Sequence, residues 1–378
     1  MTPADAPRRL KVLYLTNIPS PYRVDFFNEL GKQCDLTVLY ERKAATDRDS
    51  SWSGDGATTF TEVFLPGIRT KADAALCPSV LKHLRDRSFD IVVVGGYSTP
   101  TGMLAIVAMK ALRIPFILNA DGGFVREDHP MVRRVKAWFI GGATAWLSTG
   151  QATSEYLEHY GARREAIHVY PFTSVRAADV ASNPATKSER ADLRRALGIR
   201  EAHCIVSVGQ FIHRKGFDVL IRAAAELGRD VGVYIIGGRE TEEYSRLRAD
   251  LKASNVHFVD FLPADRLRQY YRAADLFVLP TRTDVWGLVV NEAMAQGLPV
   301  VTTDRCGAGL EMIQDGLNGR IVPVDDVAAL ANAVRSLLAP GVAIEMSLTS
   351  LATASRYTIE RMALRHVEAF WTVLECRQ

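Results

Sequence analysis

Short β-branched runs alternate with helix-length stretches along this chain, in two successive series, and that alternation constrains the fold more than any other feature. In the first series Val12–Thr16, Leu36–Tyr40, Ile91–Val94, Phe116–Asn119 and Ala143–Ser148 read as strands, with helical patterns between them at Tyr22–Leu30, Ala74–Arg87, Thr101–Leu112, Met131–Phe139 and Thr153–Tyr160. The runs are apolar throughout, as expected of parallel strands covered on both faces by crossover helices. A second series runs through Ile205–Gly209, Val233–Gly237, Val256–Phe258, Leu276–Leu279, Val300–Thr302 and Ile321–Val322. The expected fold class is α/β with two Rossmann-like doubly wound domains. Near Tyr170-Pro171 the pattern breaks, so residues 1–172 are assigned to the first domain, 173–200 to a linker and 201–356 to the second. The closing stretch Ile359–Leu374 carries apolar residues at helical spacing, and 357–378 is expected to pack back on the first domain. Ligands of such sheets bind outside the carboxyl ends of the strands, which places the expected site in a cleft between the two domains.

Composition excludes several classes. The chain of 378 residues is 48% hydrophobic and 24% charged, enough for two cores. Its 46 basic and 43 acidic residues give a net charge of +3, spread evenly, so no nucleic-acid partner is expected. Five widely spaced cysteines without a CxxC argue for reduced thiols and a cytoplasmic location, and against structural zinc. The N-terminus enters a strand without a signal-like apolar region, and no run approaches the roughly 18 apolar residues of a spanning helix.

The segment 281–300 places Glu292 inside an almost wholly apolar helical stretch, where a carboxylate is expected only if paired or used. Asp284 lies upstream with seven residues between the two acids. That spacing puts Asp284 in the loop entering the helix and Glu292 about two turns along it. The N–H groups of Gly287, Leu288 and Val289 would point toward the same place, and such helix starts bind phosphates. The plainer alternative is a capped helix with a structural ion pair. Upstream, Ser207-Val-Gly-Gln-Phe-Ile-His-Arg-Lys-Gly-Phe-Asp218 follows the first strand of the second series and opens a helix. Gly209 permits a tight turn there, and Arg214 and Lys215 supply cations for a diphosphate; a strand–glycine–helix turn with exposed basic residues is the alternative. No G-x-G-x-x-G follows either opening strand, which disfavours a dehydrogenase.

Taken in order, VGQFIHRKGFDVLIRA, the stretch from Val256 to Thr281, and DVWGLVVNEAMAQGLPVVTTD resemble the donor domain of the retaining family-4 glycosyltransferases of GT-B architecture. The resemblance is close over about residues 203–340 and holds only in outline in the first half. It implies two Rossmann-like doubly wound domains facing each other across a cleft. It also implies an enzyme that moves a sugar from a nucleoside-diphosphate sugar to a hydroxyl acceptor, a glycan, lipid-linked or small-molecule one, with retention. By resemblance Lys215 holds the donor diphosphate, and Gln210 stands where the family usually has an arginine with the same task. Asp284 replaces the first glutamate of the E-x7-E motif, which touches sugar hydroxyls. Glu292 matches the second, which binds the ribose, while Phe261 and Leu262 border the base. No metal or other cofactor is implied.

On the acceptor side, Asn17-Ile-Pro-Ser-Pro-Tyr-Arg23 follows the first strand and so lies at its carboxyl edge. Ser20, Tyr22 and Arg23 are the candidates there, with a capped turn as the alternative. Asn119-Ala-Asp-Gly-Gly-Phe124 follows another strand where the family commonly presents a histidine, and Asp121 is the substitute candidate for orienting the acceptor or stabilising developing positive charge. Gly95-Gly96-Tyr97 ends a strand and is a candidate cleft wall. Catalytic roles are therefore expected of Asp121, Lys215 and Asp284. Asp47-Arg-Asp49 matches a D-x-D metal site only superficially and reads as a solvated charge run. Arg126, Arg133, Arg134 and Lys136 beside Trp138, Phe139 and Ile140 are a candidate peripheral contact with anionic lipid, the alternative being a helix with one wet and one buried face. Two rival functions remain at this level, a nucleotide-sugar 2-epimerase and a non-catalytic nucleotide-sugar-binding subunit.

Overall fold

The computed structural model describes residues 8–43, 56–70, 73–339 and 343–376. The chain divides into two compact units, one of Met1–Ser174 with Thr358–Gln378 and one of Val175–Tyr357.

The strands of the first unit are β1 (Lys11–Thr16), β2 (Asp35–Tyr40), β3 (Thr61–Phe64), β4 (Ile68–Arg69), β5 (Ala75–Leu76), β6 (Ile91–Val94), β7 (Ile117–Ala120), β8 (Ala145–Ser148) and β9 (Ile167–Val169). Seven of them form one parallel sheet in the order β3-β2-β1-β6-β7-β8-β9, and β4 with β5 makes a small antiparallel ribbon. Register is set by apolar pairs: Val12 lies opposite Leu36 on one side and Ile91 on the other. The central strands are buried on both faces, which is why they read as unbroken apolar runs. Edge strands β3 and β9 escaped the sequence reading because one is half polar and exposed and the other only three residues long. The helix expected over Ala74–Arg87 is a correction. The chain instead forms β5 and then a helix only from Val80 to Arg85, because Pro78 biases Cys77 away from helical backbone. The C-terminal helix Ile359–Glu375 packs on the helix Pro21–Gln33, and its His366 is wholly buried between Phe26 and Tyr170, with ring centroids 4.6 and 4.4 Å away.

In the second unit β10 (His203–Val208), β11 (Val231–Ile236), β12 (Val256–Val259), β13 (Leu276–Leu279), β14 (Val300–Thr303) and β15 (Gly319–Val322) form a parallel sheet in the order β12-β11-β10-β13-β14-β15. Part of the stretch read as a linker is structural here. The helix Lys187–Leu197 packs on the helix Ala264–Ala273, and its Arg190 and Arg194 bind Asp275 at 2.7 and 2.6 Å. That carboxylate also accepts the Cys204 N–H at 2.9 Å, tying the helix to the start of β10.

Strand order reverses at one point in each sheet, between β1 and β6 and between β10 and β13. Loops leaving the two strands diverge there, and a crevice opens at their carboxyl ends. Lys215 and Asp284 lie at the reversal of the second unit, and Tyr22, Arg23 and Asp121 at that of the first.

Candidate functional site

At the β10–β13 reversal, the loop Gly209–Gly216 meets the loop 280–287. Arg282 N–H and the Thr281 hydroxyl both donate to the Arg214 carbonyl, at 2.8 and 3.0 Å. Gly216 makes the approach sterically feasible, since at φ +68° a Cβ would sit 2.0 Å from the Pro280 carbonyl oxygen. Arg282 then clamps the junction, donating to both oxygens of Asp218 at 2.9 and 2.7 Å and pairing with Asp325 at 2.8 Å.

Lys215 and Asp284 meet in this junction. The ammonium donates to the buried Asp284 carboxylate at 2.5 Å, and Arg214 contacts its other oxygen at 3.1 Å. Arg214 also donates to the Thr283 carbonyl at 2.9 Å, so it braces the loop. Asp284 is held from behind as well: its N–H donates to the Arg305 carbonyl and its carbonyl accepts from Gly307, at 2.8 and 3.0 Å. Gly287, at φ +102°, is the N-cap of the helix Leu288–Ala295 and offers no side-chain acceptor to the first N–H groups of the helix. Glu292, half-buried one turn further on, accepts the Tyr271 hydroxyl at 3.2 Å. Burial, and then the charge of Glu292, push the Tyr271 phenol well above its ordinary range, so Tyr271 remains a donor to the carboxylate. The apolar residues of this helix, Val290, Ala293, Met294 and Ala295, are buried.

The remaining donor-side residues border this junction less closely. Gln210 is exposed at the loop tip, and its carbonyl accepts the Ile212 N–H at 2.8 Å. Phe261 follows β12 at 49% exposure, too open for a core residue, with Leu262 half-buried beside it. Leu288 and Val289 are half-buried at the helix start.

At the β1–β6 reversal the first unit contains a cavity of about 220 Å³ lined by Tyr22, Arg23 and Asp121, three of the acceptor-side candidates. Arg23, only 4% exposed, donates to Asp121 and reaches the Tyr14 hydroxyl at 3.5 Å. Asp121 accepts further hydrogen bonds from the Asn119 amide at 2.7 Å and the Tyr170 hydroxyl at 3.2 Å. Two candidates stand apart from the cavity lining, as corrections. Ser20 is buried at the helix start, where its carbonyl accepts the Arg23 and Val24 N–H groups at 2.9 and 3.0 Å. The Tyr97 hydroxyl engages Tyr156 and its ring packs on the core of the unit, while its neighbours Gly95, Gly96, Ser98 and Thr99 form the cavity wall. Sequence reasoning missed Glu41 and Asp73, both in the lining. Glu41 follows β2 at its carboxyl end and was detectable by the rule applied to β1 and β7; nothing in the pattern around Asp73 marks it.

The stretch 126–140 folds as the helix Pro130–Ile140, in which only Ile140 is buried. Lys136 pairs with Asp128 at 2.7 Å, whereas Arg126, Arg133 and Arg134 are exposed alongside Met131, Val132, Val135 and Trp138. Asp47 and Asp49 lie outside the described residues. Among the described residues no group of three or more His, Cys, Asp or Glu side chains converges as a metal site, and no helix is long and apolar enough to cross a membrane.

Comparison with known proteins gives the family of the chain. Residues 25–173 match the glycosyl transferase 4-like domain and residues 202–340 the glycosyl transferases group 1. A GDP-mannose-dependent alpha-(1-6)-phosphatidylinositol monomannoside mannosyltransferase of Mycolicibacterium smegmatis is 39% identical over 333 residues, 84% of this chain and 85% of the relative. The chain belongs to the family-4 glycosyltransferases. This glycosyltransferase is also 33% identical over 225 residues to the D-inositol 3-phosphate glycosyltransferase of Acidothermus cellulolyticus, in a match covering 56% of its own chain and 49% of the relative, about half that protein's length. Its fold is similar to that of Anabaena Alr3699/HepE in complex with UDP, with a TM-score of 0.77 at 19% identity over 96% of this chain and 100% of the other.

Proposed function

We propose that this glycosyltransferase takes a sugar from a nucleoside-diphosphate donor and passes it to a hydroxyl acceptor with retention of configuration. The observation that carries the reading is the meeting of Lys215, Asp284 and an uncapped helix start at the sheet reversal of the second unit. A diphosphate arriving there takes the place of one carboxylate oxygen at Lys215 and collects the first N–H groups of the helix Leu288–Ala295. Asp284, freed from the ammonium and still steadied by Arg214, turns to the sugar hydroxyls. Glu292 accepts from the ribose while keeping Tyr271. Preset donors around the departing diphosphate are worth most where water is excluded, so positioning and electrostatics dominate the catalysis. Lys215 and the helix start supply the positive potential that the leaving group needs, and Asp121 orients the acceptor hydroxyl. The names of the relatives carry both guanosine and uridine nucleotides, and the base is the first quantity to measure.

The test is direct. The purified chain is offered UDP-, GDP- and ADP-sugars with membrane and glycan fractions as acceptors. Nucleoside diphosphate release together with an acceptor mass gain of one sugar is expected, unchanged by a chelator. Nucleotide release without an acceptor product would point to an epimerase, and binding without release to a non-catalytic subunit.

A second reading concerns location. The helix Pro130–Ile140 leaves four large apolar side chains exposed beside Arg126, Arg133 and Arg134, a pattern suited to an anionic bilayer surface. The protein would then work at the cytoplasmic face, where its cysteines stay reduced. Co-sedimentation with phosphatidylglycerol vesicles but not phosphatidylcholine vesicles is expected. Equal sedimentation with both, or loss of neither on Arg133→Glu with Arg134→Glu, would remove this reading.

A further inference from the structure

The cavity at the β1–β6 reversal has a charge pattern that the donor chemistry does not use. Its lining includes Asn17, Arg23, Glu41, Asp73, Thr99 and Asp121. Among the described residues Arg23 is the only cation in that lining, and Asp121 already matches its charge. Glu41 and Asp73 make no ion pair among the described residues. Glu41, 4% exposed, accepts the Thr99 hydroxyl at 2.5 Å and the Ala75 N–H at 3.1 Å. Asp73 accepts the Asn17 amide at 2.9 Å. Among the described residues, two carboxylates are therefore oriented at the wall of a cavity without a compensating cation.

We infer that this cavity selects an acceptor whose reacting end carries hydroxyls and no anionic group, and rejects one bearing a phosphate or carboxylate there. The inference rests on the proposed transfer to a hydroxyl acceptor and specifies its chemical class. Ionised carboxylates accept hydrogen bonds and donate none, so they match the O–H donors of a sugar or polyol and repel an anion. Rejection is built from the repulsive element rather than from shape alone. Location gives the independent support: the cavity opens where the strand order reverses, the place at which ligands of such sheets bind. The D-inositol 3-phosphate glycosyltransferase carries a phosphorylated substrate in its name; on this inference the present chain has parted from that substrate.

The experiment uses the full chain and titrates methyl α-glucoside, α-mannoside and α-galactoside, each against its 6-phosphate, by calorimetry at millimolar concentration. Every glycoside that binds is expected to bind at least about tenfold tighter than its phosphate. In a variant carrying Glu41→Gln and Asp73→Asn the gap should close through gained phosphate binding, with the unfolding midpoint monitored. Asp73→Asn alone, at a half-buried position, serves if the Glu41 change lowers that midpoint. A phosphate binding within tenfold of its parent, or no glycoside of the set binding, overturns the inference. Nucleoside diphosphate affinity is measured on the same sample. Its loss beside intact glycoside selection would sink the donor reading and leave this one standing; the reverse result would do the opposite.

Discussion

Lys215 and Asp284 form the most consequential pair of side chains in the second unit. Each satisfies the other at 2.5 Å, so the cation that the resemblance assigns to a diphosphate is kept in place by the acid assigned to the sugar. Replacing Lys215 with Met leaves Asp284 with Arg214 and should weaken nucleoside diphosphate binding by roughly 1–3 kcal/mol, the cost of a lost charged hydrogen bond. Glu292→Gln keeps an acceptor for Tyr271 and should produce a loss of similar size, with an unfolding midpoint close to that of the parent. Calorimetry on both variants checks this, and parental affinity in either would refute the assigned role. At this scale much was legible. An acid in an apolar helix needs a partner, and Tyr271 supplies it. What could not be read was that Arg214, expected with Lys215 to supply a cation for a diphosphate, spends its hydrogen bonds on Thr283 and Asp284. Proximity in sequence did not reveal the direction of the side chain.

Among the elements, the helices show where burial changes chemistry. His366, on the helix Ile359–Glu375, has its Nδ1 2.8 Å from the Met362 carbonyl, while its Nε2 has no partner among the described residues. The Nδ1 contact puts a proton on Nδ1, while burial holds the pKa down at about 3 and keeps the imidazole neutral. A histidine with a depressed folded pKa leaves stability untouched above the unfolded value near 6.5. As pH falls from there toward 3, the unfolded chain takes up a proton that the folded chain refuses, and stability drops by up to about 1.4 kcal/mol per pH unit. His366→Phe should flatten the acid limb of the stability curve between about pH 6 and pH 4, measured by denaturant unfolding at each pH. An unchanged slope would remove His366 from the account. The helix Lys187–Leu197 offers a second test. Asp275→Ala strips Arg190 and Arg194 of a partly buried partner and should cost about 3–5 kcal/mol, whereas Arg195→Ala, at an exposed pair, should cost under about 1 kcal/mol. The stretch read as a linker because the docking of this helix depends on Asp275, some eighty residues downstream, which no local pattern could reveal.

For the whole molecule, stability and ligand binding are linked by mass action. A nucleoside diphosphate at a hundred times its Kd should stabilise the folded chain by about 2.7 kcal/mol, and Lys215→Met should cut that gain to between about 0.3 and 1.8 kcal/mol at the same concentration. Thermal unfolding with and without nucleotide measures it; an equal gain in the variant would place the nucleotide elsewhere. The sequence by itself determined the two parallel sheets and the loops at their carboxyl edges, and it singled out Asp284 and Glu292 as donor-side candidates, because unbroken apolar runs, glycine turns and an acid in an apolar helix are local signals. Tertiary structure alone decided which side chains meet. Glu41 and Asp121 follow two separate strands and Asp73 lies in an intervening loop, and they share one cavity because the strand order reverses beside β1. Local spacing records which residue follows which strand, whereas the order of strands in a sheet is set by long-range packing that no short window contains.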